Sequence, residues 1–560
     1  MSAGQGGRNL PVAGWLGTYR KGRLRGDMLG ALTAWALIVP ESVAYAQIAG
    51  VPPQNAFYAA PVALLVYAMF GRSNFLIIGA TSAAAVLSAA AVSEISGDPR
   101  DAVGLSAALA VVVGAVLLVA GLARLGFITN FLAEPALVGF LFGMALTIVV
   151  RQGAKLVGVS GGDGNFFERL WTLLSRAPDW SLATLAVGSA ALALLFLLER
   201  FVPRLPAALI VLVLGLVLSA ALGLEHHGVD TVGTIPSAVP VPHLPGIPAE
   251  DWIALAAGAL GVALVVFAEA FSIASRFARE HGQEVDADRE MAAVGLSNIA
   301  VGLFRGFVVS GSASRSAAAA GAGGRTPMVS LIAAALVLLT GALLTPLFTD
   351  LPEPVLGAIV IVAVRGFMRV GELRRYASHD RRSLWVALTA LAGVLLFDLL
   401  PGLLLAVALS LVLFIAAASL RNVAVLGRLP GTRLYADTVQ HADAATTPGV
   451  LAVRPDGSLF FGNVNRVRLA VRDQVAGAAS PPRAVVLDLT GSYRLGIPVL
   501  DALDELREEL ARKDITLHLA HVRARAEQDL AQHPLAAHLG PRGLHHTVDD
   551  AVSAATGGPV

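Results

Sequence analysis

Between residues 26 and 420 the chain alternates long apolar runs with short polar or basic breaks. The runs fall at 26–48, 55–71, 80–93, 102–123, 131–150, 181–199, 205–223, 252–275, 290–304, 312–322, 328–349, 353–368, 383–398 and 401–420. The pattern predicts an α-helical polytopic membrane protein with fourteen segments in two halves of seven. Several segments, above all the third and the tenth, are shorter than the ~20 residues that a straight span needs. These two hold corresponding places in the two halves, and an odd number of segments per half inverts one half against the other in the membrane. Past about Leu420 the pattern changes. Residues 421–448 read as a polar linker and 449–560 as a soluble α/β domain. There VLAVRPDGSLFFGN predicts two strands joined by a hairpin turn at Asp456–Gly457. AVVLDLT (484–490) predicts a buried parallel-type strand, and ITLHLAHV (515–522) the next one. Residues 498–514 carry Val499, Leu500, Leu503, Leu506 and Leu510 on a helical stripe, and 547–556 predicts a last short helix. The expected order is β-β-β-α-β-α.

The two short membrane segments share a pattern. Gly306 to Gly321 reads GFVVSGSASRSAAAAG, with Ser310, Ser312, Ser314 and Arg315 ahead of an alanine run. Phe75, Gly79, Ser82 and Ala85 read F-x-x-x-G-x-x-S-x-x-A, and Phe307, Gly311, Ser314 and Ala317 repeat it at the same spacings. Small residues are common in this chain, so chance is the alternative; the matching place in the span count favours a true repeat. A helix that starts near Ser312 points unpaired N–H groups and the positive end of its dipole at whatever lies ahead. Such helix starts bind anions, and a half-helix of this kind at mid-membrane depth marks a secondary-transporter site.

Composition agrees with the periodicity. The 560 residues are 56% hydrophobic and 14% charged, whereas soluble domains carry about 25% charged residues. A net charge of +1 gives no basic field for nucleic acid. The absence of cysteine excludes disulfides, thiol nucleophiles and Cys-based metal or iron–sulfur sites. The 12 histidines lie mostly in loops (His226, His227, His281, His545, His546) at spacings that give no metal-site pattern. MSAGQGGRNLPVAGW has no short apolar stretch with a cleavage site, so no cleaved signal peptide is expected. Basic residues sort by side. Arg20, Lys21, Arg23 and Arg25 precede the first span. Arg72, Arg124, Arg200, Arg204, Arg276, Arg279, Arg289, Arg325 and the cluster Arg365, Arg369, Arg374, Arg375, Arg381 and Arg382 fall in alternate loops. The loops near Pro52, Glu225–Glu250, Thr349–Pro354 and Asp398–Gly402 hold no Lys or Arg. The positive-inside rule then puts both termini in the cytoplasm, the long outside loop 151–180, with Arg151, Lys155, Arg169 and Arg176, being the exception.

Two acids lie inside apolar spans: Glu41 after Pro40, and Glu269 in VALVVFAEAFSIA. Each costs about 2.5–3.5 kcal/mol near the bilayer centre on the insertion scale. Pro40 is expected to break its helix and free backbone groups, which lipid cannot satisfy. Both acids should therefore face a polar cavity. Each is either a protonated acid bonded between helices or a coupling group that loads a proton or ligates sodium. Arg315 either attracts an anion or pairs with an acid. Tyr45, four residues after Glu41 on the same helix face, either packs or lines the site. There is no catalytic triad, phosphate loop or metal cluster to suggest an enzyme, and no cofactor is expected.

These motifs together resemble the SulP family of anion transporters and channels, over nearly the whole chain. Asp27-Met-Leu-Gly30, Val39-Pro40-Glu41-Ser42-Val43-Ala44-Tyr45-Ala46 and Ala49-Gly50-Val51-Pro52-Pro53 are similar to its first-span signature. The run from Glu290 to Asn298 is similar to the ninth-span signature, and Phe307 to Ala317 to the tenth-span serine-arginine motif. Residues 449–560 resemble the STAS domain that follows the membrane domain in this family. The resemblance implies a core and a gate domain built from the 7+7 inverted repeat, an elevator-type movement between them, and a homodimer in the cell (inner) membrane. By motif it implies a substrate site of Glu41, Tyr45, Ala80, Thr81, Ser82, Ser312, Ser314 and Arg315, with Glu41 and Glu269 for ion coupling. Glu41 stands where many members carry glutamine; ionised, it would repel an anion, and protonation would remove that repulsion. In the STAS loop, Gly496 and Ile497 stand where the soluble relatives carry their Asp and phosphorylated Ser or Thr, so a structural or dimer-supporting role is expected there. The expectation is a proton-coupled secondary transporter of a small anion, of the sulfate, bicarbonate or dicarboxylate class. The alternatives are sodium coupling, and an uncoupled exchanger or channel. A transporter of neutral nucleobases fits Arg315 and the STAS tail poorly.

Overall fold

The structure is a computed structural model describing residues 14–557 except 97, 99–100, 128–133, 163, 203–205, 235, 237–239, 398–400, 403–404, 406–407, 410, 414–415, 417–422, 479 and 541. The first half of the expected N-terminal segment (1–25), Arg204, Asp398 and much of the fourteenth segment (401–420) lie outside the described residues. The chain forms two compact units, residues 1–411 and 412–560.

In the first unit, each of the first thirteen apolar segments is a helix. The elements are α1 (Leu24–Ile48), α2 (Gln54–Phe70), β1 (Ile77–Gly79), α3 (Ser82–Ser93), α4 (Ala102–Leu122), α5 (Glu134–Val157), α6 (Phe166–Ser175), α7 (Leu182–Phe201) and α8 (Ala207–Leu222). They continue with α9 (Ala249–Glu280), α10 (Ala287–Leu303), β2 (Ser310–Ser312), α11 (Ala313–Gly321), α12 (Met328–Leu339), α13 (Glu353–Val364), α14 (Val370–His379) and α15 (Arg381–Phe397). Among the described residues, seven helical stretches are long and apolar enough to cross a membrane.

Helix packing follows the repeat. α4 lies along α10 and α12 along α2; α5 lies along α15 and α13 along α7. Laying segments one to seven on segments eight to fourteen turns the first pairing into the second and the third into the fourth. The packing needs small residues: a Cβ on Gly114 of α4 would stand 2.5 Å from the Gly295 carbonyl oxygen of α10. Close helix approach through glycine is the membrane solution, because lipid gives apolar side chains no incentive to associate. Large apolar side chains such as Val119, Leu182, Val217, Leu260 and Leu343 are exposed on the outside, as a lipid-facing surface requires.

Two expectations are corrected here. α1 runs unbroken through Pro40. In an apolar medium the backbone keeps every other helical hydrogen bond, and neighbouring helices enclose the proline. The stretch 151–180, expected as an outside loop, is mostly helical: α5 continues to Val157, so Arg151 and Lys155 sit on a helix. α6 starts at Asn165 with a capping box to Glu168 and exposes Phe167, Trp171 and Leu174.

The second unit is a six-stranded sheet of order β4-β3-β5-β6-β7-β8, made of β3 (Val423–Arg428), β4 (Tyr435–Asp437), β5 (Val450–Pro455), β6 (Ala484–Asp488), β7 (Thr516–Ala520) and β8 (Leu544–His545). β5 to β8 run parallel, while β3 is antiparallel to both β4 and β5. Helices α16 (Val464–Ala476), α17 (Ile497–Ala511), α18 (Ala524–Ala531), α19 (Pro534–Leu539) and α20 (Val548–Thr556) complete it. Alternate residues of β6 serve the two faces: Val485 and Leu487 pack under α16 and α17, and Ala484 and Val486 pack with α20. The expected hairpin at Asp456–Gly457 is absent among the described residues. β5 has β6 on one side and β3 on the other, so no edge is open to a returning strand, and the chain enters α16 instead. Residues 421–448, expected as a linker, supply β3 and β4.

Candidate functional site

β1 and β2 form an antiparallel pair, with Ile77 opposite Ser312, Ile78 opposite Gly311 and Gly79 opposite Ser310. Each strand runs straight into a short helix, so α3 and α11 leave the pair in opposite directions with both N-termini beside it. Their caps are made locally. Thr81 Oγ1 accepts from Ala84 N at 3.2 Å, and Ser312 Oγ accepts from Arg315 N at 3.4 Å. The other first-turn N–H groups have no helical acceptor and carry the positive end of each dipole.

Buried side chains hold the strand pair in place. Asn298 pairs its amide with both backbone groups of Val309, at 2.9 and 3.0 Å. Ser310 Oγ donates to the Val266 carbonyl of α9 at 2.9 Å, and Ser316 Oγ accepts from Ile77 N at 2.9 Å. The shared glycines of the sequence repeat have a steric purpose: a Cβ at Gly79 would meet Arg315 Nη1, and one at Gly311 would stand 2.9 Å from Ala270 Cα of α9.

The structure brings the expected residues to one cavity of about 850 Å³, lined by Glu41 and Tyr45 from α1, Thr81 and Ser82, Glu269 from α9, and Ser312, Ser314 and Arg315. Ala80 is the exception. It is fully buried and does not line the cavity; its carbonyl accepts from Arg315 Nη2. Arg315 has no exposed surface, and its Nε donates to Glu41 Oε2 at 2.8 Å. Of the two readings of Arg315, this geometry is the acid pair. It also alters the expected role of Glu41, whose charge is cancelled by the guanidinium rather than turned on the cavity. Arg315 Cζ lies 6.0 Å from the Tyr45 ring centre. Thr81 Oγ1 donates to Glu269 Oε2 at 3.3 Å, so the second acid touches the cap of a helix start.

Several residues at or near the site are not among the site residues expected from the sequence. Thr33, Ser272, Glu134, Glu199, Arg365 and Arg369 also line the cavity, and Arg365 Nη2 pairs with Glu199 Oε2 at 2.8 Å. Glu290 is a third buried acid, with no exposed surface; it accepts from Tyr67 Oη and, at 3.2 Å, from Arg72 N. Asp27 is also fully buried and accepts from Arg325 N at 2.9 Å and Thr326 Oγ1 at 2.7 Å, tying the start of α1 to the turn after α11.

Paired broken segments that meet at a central cavity, in a helical membrane unit followed by an α/β domain, define a multi-pass transporter of the inverted-repeat class. The chain belongs to the Sulfate permease family, whose profile matches residues 24–390, and the STAS domain profile matches residues 441–551. It is 36% identical over 540 residues to a probable sulfate transporter of Mycobacterium tuberculosis, covering 96% of each chain. It is 31% identical over 484 residues to human solute carrier family 26 member 6, covering 81% of this chain and 63% of the relative. The fold matches murine Slc26a9, an anion transporter solved in the inward-facing state, with a TM-score of 0.90 at 22% identity over 98% of this chain and 94% of that one. The transmembrane domain of the cyanobacterial bicarbonate transporter BicA matches with a TM-score of 0.61 at 21% identity, covering 69% of this chain and 98% of that one. The family is one of anion transporters, not enzymes.

Proposed function

We propose that this protein is a secondary active transporter that carries a small oxyanion, sulfate first, between the starts of α3 and α11, with a proton as the coupling ion and Glu269 as its carrier. The observation behind this reading is the meeting of two capped helix starts at one cavity, with a carboxyl bonded to one of the caps. An anion placed there accepts from first-turn N–H groups of both helices and from Ser82 and Ser314. Sulfate comes ahead of bicarbonate and dicarboxylates because a relative similar along almost the whole chain carries the name of a sulfate transporter.

Electrostatics supports the choice of Glu269. The Arg315–Glu41 pair is neutral as a unit, so the charge that an anion meets beside the two helix starts is the Glu269 carboxylate. Two like unit charges 4 Å apart repel by about 4 kcal/mol at an effective dielectric constant of ~20, and a dianion doubles this. Protonating Glu269 removes the repulsion, so anion and proton load together. The bundle of α1–α4 with α9–α12 carries the site and moves against that of α5–α8 with α13–α15, in a homodimer of the cell membrane with cytoplasmic termini. The cavity reaches Arg365, Arg369 and Glu199, the arginine-rich side, and is open to the cytoplasm.

The test is uptake by the purified protein in liposomes, with labelled sulfate, bicarbonate and dicarboxylates under imposed proton or sodium gradients. The expected outcome is sulfate uptake raised by an inward proton gradient, and uptake indifferent to that gradient in Glu269→Gln. A Glu269→Gln protein that still responded to the proton gradient would remove Glu269 from the role. Response to sodium alone would make the protein a sodium symporter, and large currents with no cotransported cation would make it a channel.

A further inference from the structure

The second unit holds a cluster that anion transport does not use. His518 on β7 and His545 on β8 lie side by side, their ring centres 5.3 Å apart. His518 Nδ1 is 3.1 Å from His545 Nε2. The main-chain carbonyl oxygen of Arg542 is 3.1 Å from the first nitrogen and 3.0 Å from the second. The fold builds this triangle. β7 and β8 are parallel with Ala520 opposite His545, and His518, two residues before Ala520, shares its face. Leu519 N donates to the Gly543 carbonyl at 2.8 Å, and this holds the neighbouring Arg542 carbonyl over that face.

Two imidazole nitrogens and a carbonyl oxygen thus stand within 3.0–3.1 Å of one another, three metal-ligand atoms on one face. Thr516 Oγ1 lies 3.1 Å from His518 Nε2 and 3.4 Å from the Arg483 carbonyl, so it can accept the Nε2 proton while donating to that carbonyl. In that tautomer His518 carries its proton on Nε2 and turns the lone pair of Nδ1 into the triangle, the form a metal ligand needs. His545 can bring one N–H. Whichever acceptor it serves, in that tautomer the His518 lone pair faces the lone pairs of the Arg542 oxygen at 3.1 Å. A single cation at the centre converts all three contacts into bonds.

We propose that His518, His545 and the Arg542 carbonyl form a binding site for a divalent transition metal of the copper(II) or nickel(II) class, with water in the remaining positions. Imidazole nitrogen is a preferred ligand of these ions, and copper(II) stands highest in the order of affinities. With metal–ligand bonds of about 2.0–2.1 Å, sides of this length give angles of about 95°, nearer the square or octahedral value than the tetrahedral one of zinc. Among the described residues, no three His, Cys, Asp or Glu side chains are grouped to hold a metal; here the third ligand is a backbone oxygen, which no sequence spacing reveals. Thr516 orients His518 in the way that partners behind metal ligands commonly do. The metal joins β7 to the edge strand β8 and, through it, to α20.

The experiment titrates the full-length protein, in detergent and freed of any histidine tag, with copper(II). It reads affinity by calorimetry and ligands by electron paramagnetic resonance. The expected result is one site per chain with a two-nitrogen splitting pattern, lost in His545→Gln together with a fall in affinity of about tenfold or more. Binding unchanged in His545→Gln would place the copper on other histidines, such as the neighbours His226 and His227, and overturn the proposal. So would a wild-type protein without the two-nitrogen pattern. If His545→Gln fails to fold, Thr516→Val decides: it touches His518 only at Nε2, so weaker copper binding supports the site and unchanged binding overturns it.

Discussion

Arg315 and Glu41 sit at 0% and 8% exposure, where neither charge would be stable alone. Removing one member leaves the other buried without compensation. Arg315→Met is expected to destabilise the protein by about 3–5 kcal/mol, and Glu41→Gln combined with Arg315→Met to recover much of that. Thermal melting in detergent checks both; a single variant that melted like the wild type would deny the pair its structural role. The second unit offers a titration of known sign. Burial raises the Asp504 pKa, but hydrogen bonds from Arg507 and His538 outweigh it and hold the carboxyl below its usual range. A depressed folded pKa stabilises above the unfolded value of about 3.9 and is lost as pH falls through the folded value. Asp504→Asn should therefore lower the melting midpoint near neutral pH and change it little in strong acid, as melts across pH will show. The residue types at the anion site are legible from the repeat in the sequence. That Arg315 turns back on Glu41 and on the Ala80 carbonyl is not, because those partners lie 274 and 235 residues away.

At the scale of elements, a short strand leads into each of the two short helices, Ile77–Gly79 ahead of α3 and Ser310–Ser312 ahead of α11. The antiparallel pairing of the strands holds the two helix starts together. The α4–α10 contact is the matching device between long helices. Gly295→Leu is expected to cost at least the ~1–3 kcal/mol typical of overpacking, since a Cβ there would already stand 2.7 Å from both Gly114 O and Leu118 N. Size-exclusion and thermal melting of the variant, against a Leu substitution at a lipid-facing site such as Val217, would check it. Equal stability of the two would mean that the helices part more easily than their spacing implies. Helix α16 shows a signal that was present but masked. Val464, Val467, Val471 and Val475 stand at helical spacing and are all buried, yet the apolar run just before them, Leu459–Phe461, resembles a returning strand.

For the whole molecule, the division into a membrane unit and an α/β unit is visible in composition, but the place of the division is not. Residues 421–448 are polar enough to be a linker, yet β3 covers the edge of β5. A soluble fragment starting at Arg421 should fold, whereas one starting at Gly449 should expose the β5 edge and aggregate. Circular dichroism and size-exclusion of the two fragments will separate them, and a well-behaved shorter fragment would show that β3 and β4 are dispensable.

The sequence alone establishes thirteen of the fourteen segments, the helix starts and the acids within the spans, because each depends on neighbours near in sequence, and the span count with the shared small-residue motif adds the two-fold repeat. The pairing of Arg315 with Glu41, the contact of Thr81 with Glu269, the burial of Glu290 and the partner of β5 were decided only by the tertiary structure. Each of them joins groups far apart along the chain, and burial far from water makes the identity of the partner, rather than the local pattern, set the energy.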